Sequence, residues 1–298
     1  MGNPSSLALN GPMTNNMQEK STILVLGGTG KIGRRVVERL TDRAVSTRLG
    51  SRSARPAFDW DDPATWAAAV RDVDAVFVSY QPDLAFPGAA DTVAAFVDRA
   101  MASDVGRLVL LSGRNEDGAL LAERAVQQSG AAWTIVRSSF FAQNFSESFF
   151  VDAVRSGVVA FPAGNVAEPF VDADDVADVA VAALIGDTHD GQLYEVTGPR
   201  LLTFAEAVRK IAEASGTKVD YLPVSGAAYA SALRAEGLDA DFAADLTELF
   251  TTVLDGRSAY VTDGVQRALG RGPRDFADYA RTAAATGVWD PQLDRVPG

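Results

Sequence analysis

The stretch that most constrains this chain runs from Ile23 to Leu40, ILVLGGTGKIGRRVVERL. The apolar run from Thr22 to Leu26 fits a strand buried on both faces, as in a parallel sheet. Lys31 to Leu40 places Ile32, Val36, Val37 and Leu40 on one helical face. Gly27, Gly28 and Gly30 fall between them, and Gly33 lies in the first turn of that helix. Glycine at such a turn lets the backbone take positive φ and come close to a pyrophosphate, which the first amides of the helix then hold. The spacing is not that of the triphosphatase loop, which needs Gly-Lys-Ser/Thr after four intervening residues, because Lys31 precedes Ile32 and Gly33. It also departs from the GxGxxG of ordinary dehydrogenases.

The alternation then repeats. Strands are predicted at Val45 to Leu49, Ala75 to Val78, Arg107 to Leu111 and Trp133 to Val136. Helices are predicted at Pro63 to Val70, Ala89 to Met101 and Gly118 to Gln128. This order implies βαβ units and an α/β fold, a Rossmann doubly wound parallel sheet. After about residue 140 the pattern loosens. Helices are expected over Phe145 to Val154, over Asp174 to Ile185 as an amphipathic segment opened by acids, and over Thr203 to Ala214. Thr203 and Glu206 have the spacing of a capping box. Leu193 to Val196 reads as a strand and Val219 to Pro223 as extended. The remainder is mostly helical, with a turn at Gly270 to Pro273. We expect a nucleotide-binding domain over 21–150, taking in parts of 165–200. A smaller, mostly helical substrate cap is expected over 151–298, and a disordered tail over 1–20.

Composition closes several alternatives. The 298 residues are 47% hydrophobic, enough for a large core, and no run of eighteen apolar residues lacks charge. A net charge of −12 argues against holding a nucleic-acid backbone. The absence of cysteine excludes disulfides, thiolate metal sites and cysteine nucleophiles. The lone histidine, His189, sits in the loop GDTHDG, where we expect it at the solvent and outside any metal site. The expectation is a cytoplasmic, bacterial protein whose partner is a small molecule, with no nucleic acid and no membrane. Nothing in the sequence sets an oligomeric state.

The segment after the second strand discriminates the dinucleotide. NAD enzymes place an acid there for the ribose 2′-hydroxyl. This chain reads TRLGSRSAR, with Ser51 and Arg52 at that point and no carboxylate before Asp59. Arginine suits the 2′-phosphate of NADP(H), by charge and by paired hydrogen bonds; the other reading is a solvated surface side chain.

GGTGKIG and SRS, with FDWDDPATWAAAV (58–70), VDAVFVSYQP (73–82), SGAAWTIVRSSFFAQNF (129–145), PFVDADDVADVAVAAL (169–184) and GRSAYVTDGVQRALGRGPRDFADYA (256–280), resemble the NmrA-like branch of the atypical short-chain dehydrogenases/reductases. The resemblance covers residues 22 to about 285. It implies that Gly27, Gly28, Thr29, Gly30, Lys31 and Ile32 wrap the pyrophosphate and that Arg52 takes the 2′-phosphate. Asp59 and Trp60, after the family's third strand, would flank the adenine, although Trp60 serves equally as a core aromatic. Ser79, Tyr80 and Gln81 would line the nicotinamide ribose. Ser138, Ser139, Phe140, Phe141 and Gln143 would hold the nicotinamide end.

Short-chain reductases usually protonate the nascent alkoxide with a tyrosine activated by a lysine four residues on. Here Tyr80, Tyr194, Tyr221, Tyr229, Tyr260 and Tyr279 are followed at that distance by Leu84, Gly198, Ser225, Leu233, Gly264 and Ala283. No lysine lies between 32 and 209. Two readings follow. The first is a reductase of acceptors that need little acid help, such as quinones, iminium ions and conjugated carbonyls, as the resemblance to quinone and cyclic-iminium reductases implies. The second is a regulator that senses NAD(P) without turnover. A scaffold that keeps the cofactor for stability is a third. Ser112, Asn115 and Tyr80 are the catalytic candidates, with a capping role for Ser112 and ribose packing for Tyr80 as alternatives. Phe140 and Phe141 are candidates to floor a flat, apolar substrate site, whereas Phe145 and Phe149 share a helical face and read as core.

Overall fold

The computed structural model describes residues 21–291, so the expected tail over 1–20 lies outside the described residues. The first half alternates as β1 (Thr22–Leu26), α1 (Lys31–Asp42), β2 (Ser46–Gly50), α2 (Trp66–Val70), β3 (Ala75–Val78), α3 (Ala89–Met101), β4 (Arg107–Gly113), α4 (Ala119–Gln127) and β5 (Ala132–Ser138). Short pieces follow: α5 (Asn144–Glu147), α6 (Val151–Ser156), β6 (Val158–Phe161) and β7 (Ala167–Glu168). Then come α7 (Ala173–Ile185), β8 (Gln192–Val196), β9 (Leu202–Thr203), α8 (Phe204–Ser215) and β10 (Asp220–Pro223). Four helices close the chain: α9 (Gly226–Ala235), α10 (Ala240–Val253), α11 (Gly264–Leu269) and α12 (Phe276–Ala285).

Six strands form one parallel sheet in the order β2-β1-β3-β4-β5-β8. Because side chains alternate across a strand, each central strand feeds two layers. Ile23, Val25, Ala75, Phe77 and Val109 pack beneath α1, α7 and α11. Leu24, Leu26, Val76, Val78, Leu108 and Leu110 pack beneath α2, α3 and α4. A third cluster, rich in phenylalanine, gathers Phe145, Phe150, Phe161, Phe170, Phe204, Phe250 and Phe276. The capping box at Thr203 and Glu206 forms as its spacing requires.

The structure corrects the sequence reading at several points. The helix expected over Phe145 to Val154 is broken at Ser148, which is extended. On one continuous helix, residues five apart point to opposite sides. The break lets Phe145 and Phe150 stack with ring centroids 4.9 Å apart. Phe149, expected in the core, is 47% exposed instead. No strand forms between β2 and β3, so Asp59 and Trp60 follow a loop carrying only an isolated bridge from Asp59 to Asp62. The strand β6, which the sequence reading passes over, pairs in parallel with β10.

His189 is buried rather than exposed. Its Nδ1 lies 2.9 Å from the Tyr194 hydroxyl, and its carbonyl accepts from Thr134 Oγ1. Burial and the nearby Arg107 hold its pKa down. On α7 the acids that open the helix are covered by arginines. Arg39 reaches Asp174 and Asp178 from α1, and Arg271 and Arg274 reach Asp175 and Asp178 from the turn after α11.

Candidate functional site

Strands β1 and β3 are neighbours although β2 intervenes in the chain, so the winding reverses there and a crevice opens at the carboxyl ends. A cleft of about 440 Å³ occupies that place. The glycine turn forms one end of it. Gly27 has φ +64°, and its carbonyl accepts from Gly30 N at 2.8 Å. A Cβ on Gly33 would stand 2.1 Å from that same carbonyl, which forces glycine where helix α1 passes the turn. Gly30 is the N-cap of α1 and offers no side chain, leaving the first amides of the helix to an outside acceptor. This cradle fits a pyrophosphate.

Beside it, Lys31 Nζ donates to Asn144 Oδ1 and lies 5.7 Å over the Phe141 ring. Burial lowers the lysine pKa to about 8, against the pull of Glu147. Along the cleft the wall is made by Ile32, Ser79, Tyr80 and Gln81, and then by Ser112, Ser138, Ser139, Phe140 and Phe141. Phe140 meets Phe204 and Phe170 edge-on at 5.3 and 5.9 Å, so the apolar end of the cleft is the rim of the phenylalanine cluster.

Other expected residues stand elsewhere. Gly28 lies under the turn, where a Cβ would meet Leu49 at 2.9 Å, and Thr29 is exposed at its tip. Arg52 is exposed just past β2, and no partner is found for its guanidinium among the described residues. Asp59 binds its own turn through Asp61 N and Thr65 Oγ1. Trp60 donates to the Ser79 carbonyl and joins Phe58, Trp66, Tyr80 and Phe96 in an aromatic group. Gln143 uses both ends of its amide at the start of α7, toward Asp172 and Ala173 N. Asn115, at φ +58°, donates to Ser258. Ser112 donates to Glu123 Oε1 at 2.7 Å, and Glu123 is itself paired with Arg137. Its proton is thus committed away from the cleft.

Four charged side chains that sequence reasoning passed over line the same cleft. Asp83 and Glu116 form a carboxyl pair: burial pushes both pKa values up, the Asp83 charge raises Glu116 further, and the hydrogen bond from Glu116 holds Asp83 partly down. Arg114 is almost wholly buried, stacks 4.4 Å above the Tyr260 ring and donates to the Tyr260 carbonyl. Glu168 is equally buried, and Oε1 accepts from Phe140 N at 3.3 Å. Asp83, Arg114 and Glu116 follow the carboxyl ends of β3 and β4, where the switch-point rule already directs attention. Glu168 carries no such signal, because its strand is two residues long and owes its position to pairing with β9.

Comparison with known proteins agrees with this geometry. Residues 27–186 match the family described as NAD(P)H-binding. The NAD(P)H azoreductase of Xenophilus azovorans is 33% identical over 285 residues, covering 88% of this chain and 98% of that protein. The agroclavine dehydrogenase of Claviceps fusiformis is 29% identical, covering 87% and 96%. Among solved structures, an NADPH-dependent quinone oxidoreductase of Escherichia coli complexed with NADPH superposes with a TM-score of 0.73 at 20% identity, over 87% of this chain and 99% of that one. At that identity the likeness speaks to the fold. The chain belongs to the NAD(P)H-binding family.

Proposed function

We propose that this chain, an NAD(P)H-dependent oxidoreductase, uses NADPH to reduce a small, flat electrophile such as a quinone, an iminium ion or a conjugated carbonyl. The observation that carries this reading is the cleft itself, which joins a pyrophosphate cradle to a phenylalanine rim, in a sequence where no tyrosine is followed by lysine four residues on. When bound, the cofactor supplies hydride. The chain's own residues do the rest. The α1 amides and Lys31 anchor phosphate, the exposed Arg52 just past β2 takes the 2′-phosphate, with no acid in the sequence between it and Asp59, and Phe140 and Phe141 exclude water from a flat acceptor. The relatives named azoreductase and agroclavine dehydrogenase support a conjugated acceptor. No helix among the described residues is long and apolar enough to cross a membrane, which suits a cytoplasmic enzyme drawing on NADPH.

The test is to mix the protein with NADPH and a panel of quinones, cyclic imines and enones, following loss of NADPH absorbance. Oxidation by at least one class is expected; NADP(H) binding with no oxidation by any would replace this reading with the sensor. Arg52→Ala should weaken NADPH about 10- to 100-fold, the worth of a charge-assisted hydrogen bond, while NADH binding changes little. Equal effects on both would remove the 2′-phosphate assignment.

A further inference from the structure

The cleft wall contains two buried charged groups with open valences. Glu168 is 3% exposed, and its Oε2 has no hydrogen-bond partner among the described residues. Arg114 is 3% exposed. One side of its guanidinium is held by the Tyr260 ring and carbonyl, and Nε stands 3.5 Å from Glu195 without a hydrogen bond, while Nη1 has no hydrogen-bond partner among the described residues. A buried polar atom left unpaired costs about 1–3 kcal/mol, more for a charged group. Two such groups of opposite charge on one cleft wall mark where a ligand's polar atom belongs.

We propose that Arg114 and Glu168 form the oxygen subsite of the substrate, with Arg114 Nη1 donating to a carbonyl oxygen and the Glu168 carboxyl protonating it. The inference rests on the reductase reading and narrows it to neutral acceptors whose oxygen conjugates with the carbon that is reduced. A cationic iminium is disfavoured, because a fixed guanidinium stands where its nitrogen would lie.

The step balances. As hydride forms a C–H bond at the β-carbon, the C=C pair shifts to join the α-carbon to the carbonyl carbon and the C=O π pair moves onto the oxygen. Protonation there gives the enol, which reverts to the ketone in water. The Oε2–H bond of Glu168 breaks and an O–H bond forms on the substrate. The acceptor gains two electrons, the nicotinamide loses them, and Glu168 is left as a carboxylate beside Arg114. It regains its proton from water when product leaves. Burial raises the Glu168 pKa to about 7, against the Phe140 amide and the Arg114 charge, so the carboxyl holds a proton at the pH where it must give one. The other titratable groups on the cleft wall are Lys31, Tyr80, Asp83 and Glu116, and Glu195 stands behind Arg114. Glu116 is the rival acid, but its proton is engaged with Asp83.

The test combines a binding probe with kinetics. In the NADP⁺ complex, p-nitrophenolate mimics the nascent oxyanion, and its absorbance reports binding without turnover. Arg114→Gln should weaken it at least about tenfold, the worth of one charged hydrogen bond, and Arg114→Lys should recover part of that, with NADP⁺ affinity unchanged in both. Glu168→Gln should lower kcat on cyclohexenone about 100-fold, as loss of a general acid does, and abolish the fall in kcat above pH about 7. Infrared difference spectra of the ligand-free protein should lose one carboxyl band titrating near neutrality in Glu168→Gln. Unchanged kcat and pH profile in Glu168→Gln, or their transfer to Glu116→Gln, would overturn the proton donor while leaving the reductase intact. Probe binding indifferent to Arg114 would overturn the subsite. A wild type that oxidises NADPH with no acceptor, yet binds the probe through Arg114, would overturn the reductase and the proton transfer and leave an anion site.

Discussion

At Glu168 the cost of an unpaired carboxyl can be read against pH. Its folded pKa of about 7 lies above the ordinary 4.5, so the fold binds this proton more tightly than the unfolded chain does. Stability from this group is therefore complete below pH 4.5 and is lost as pH rises through about 7, on the order of 3 kcal/mol in all. Glu168→Gln should match the wild type at pH 4 and melt about 5 °C higher at pH 8, as differential scanning calorimetry would record. Lys31 runs the other way. With its free pKa lowered to about 8, an arriving phosphate raises it again. Binding of NADP⁺ at pH 8 should take up a fraction of a proton, measured by titration calorimetry in two buffers of different ionisation enthalpy. Lys31→Met should abolish that uptake.

The elements differ in how openly the sequence declares them. The turn between β1 and α1 is legible because each glycine answers a local demand, and Gly33 is the strictest of them. Gly33→Ala drives a methyl into the Gly27 carbonyl, so we expect a loss of about 3 kcal/mol or more in urea unfolding and no measurable NADP(H) binding. The six strands and the capping box were likewise legible, since periodicity and spacing are short-range signals. The break at Ser148 was not, because Phe145 and Phe150 turn inward to meet Phe161, Phe170 and Phe204, which lie outside the segment in which a helical period is read. His189 failed for the same reason: a polar loop sequence does not disclose that Tyr194 and Thr134 close around it. In the site, the phosphate end follows from a contiguous motif. The oxygen end joins Arg114 and Glu168 from distant segments, and burial gives each its chemistry.

Across the whole molecule, the acids of α7 draw arginines from both ends of the chain. Asp175 has no solvent exposure, and it accepts from Arg274 N at 2.7 Å and pairs with Arg271 and Arg274. Asp175→Ala removes charge-assisted bonds while the arginines, more than a third exposed, keep water, so a loss of about 2 kcal/mol is expected in thermal or urea unfolding. The layer beneath the sheet therefore waits for partners made more than ninety residues after it. During synthesis Arg271 and Arg274 emerge more than ninety residues after Asp175, so a carboxylate destined for the interior stays in water until then. Ribosome-bound chains ending before residue 270 should expose α7 to protease, and chains released at full length should protect it. Maturation of this nucleotide-binding fold is set by a segment made long after the helix it covers.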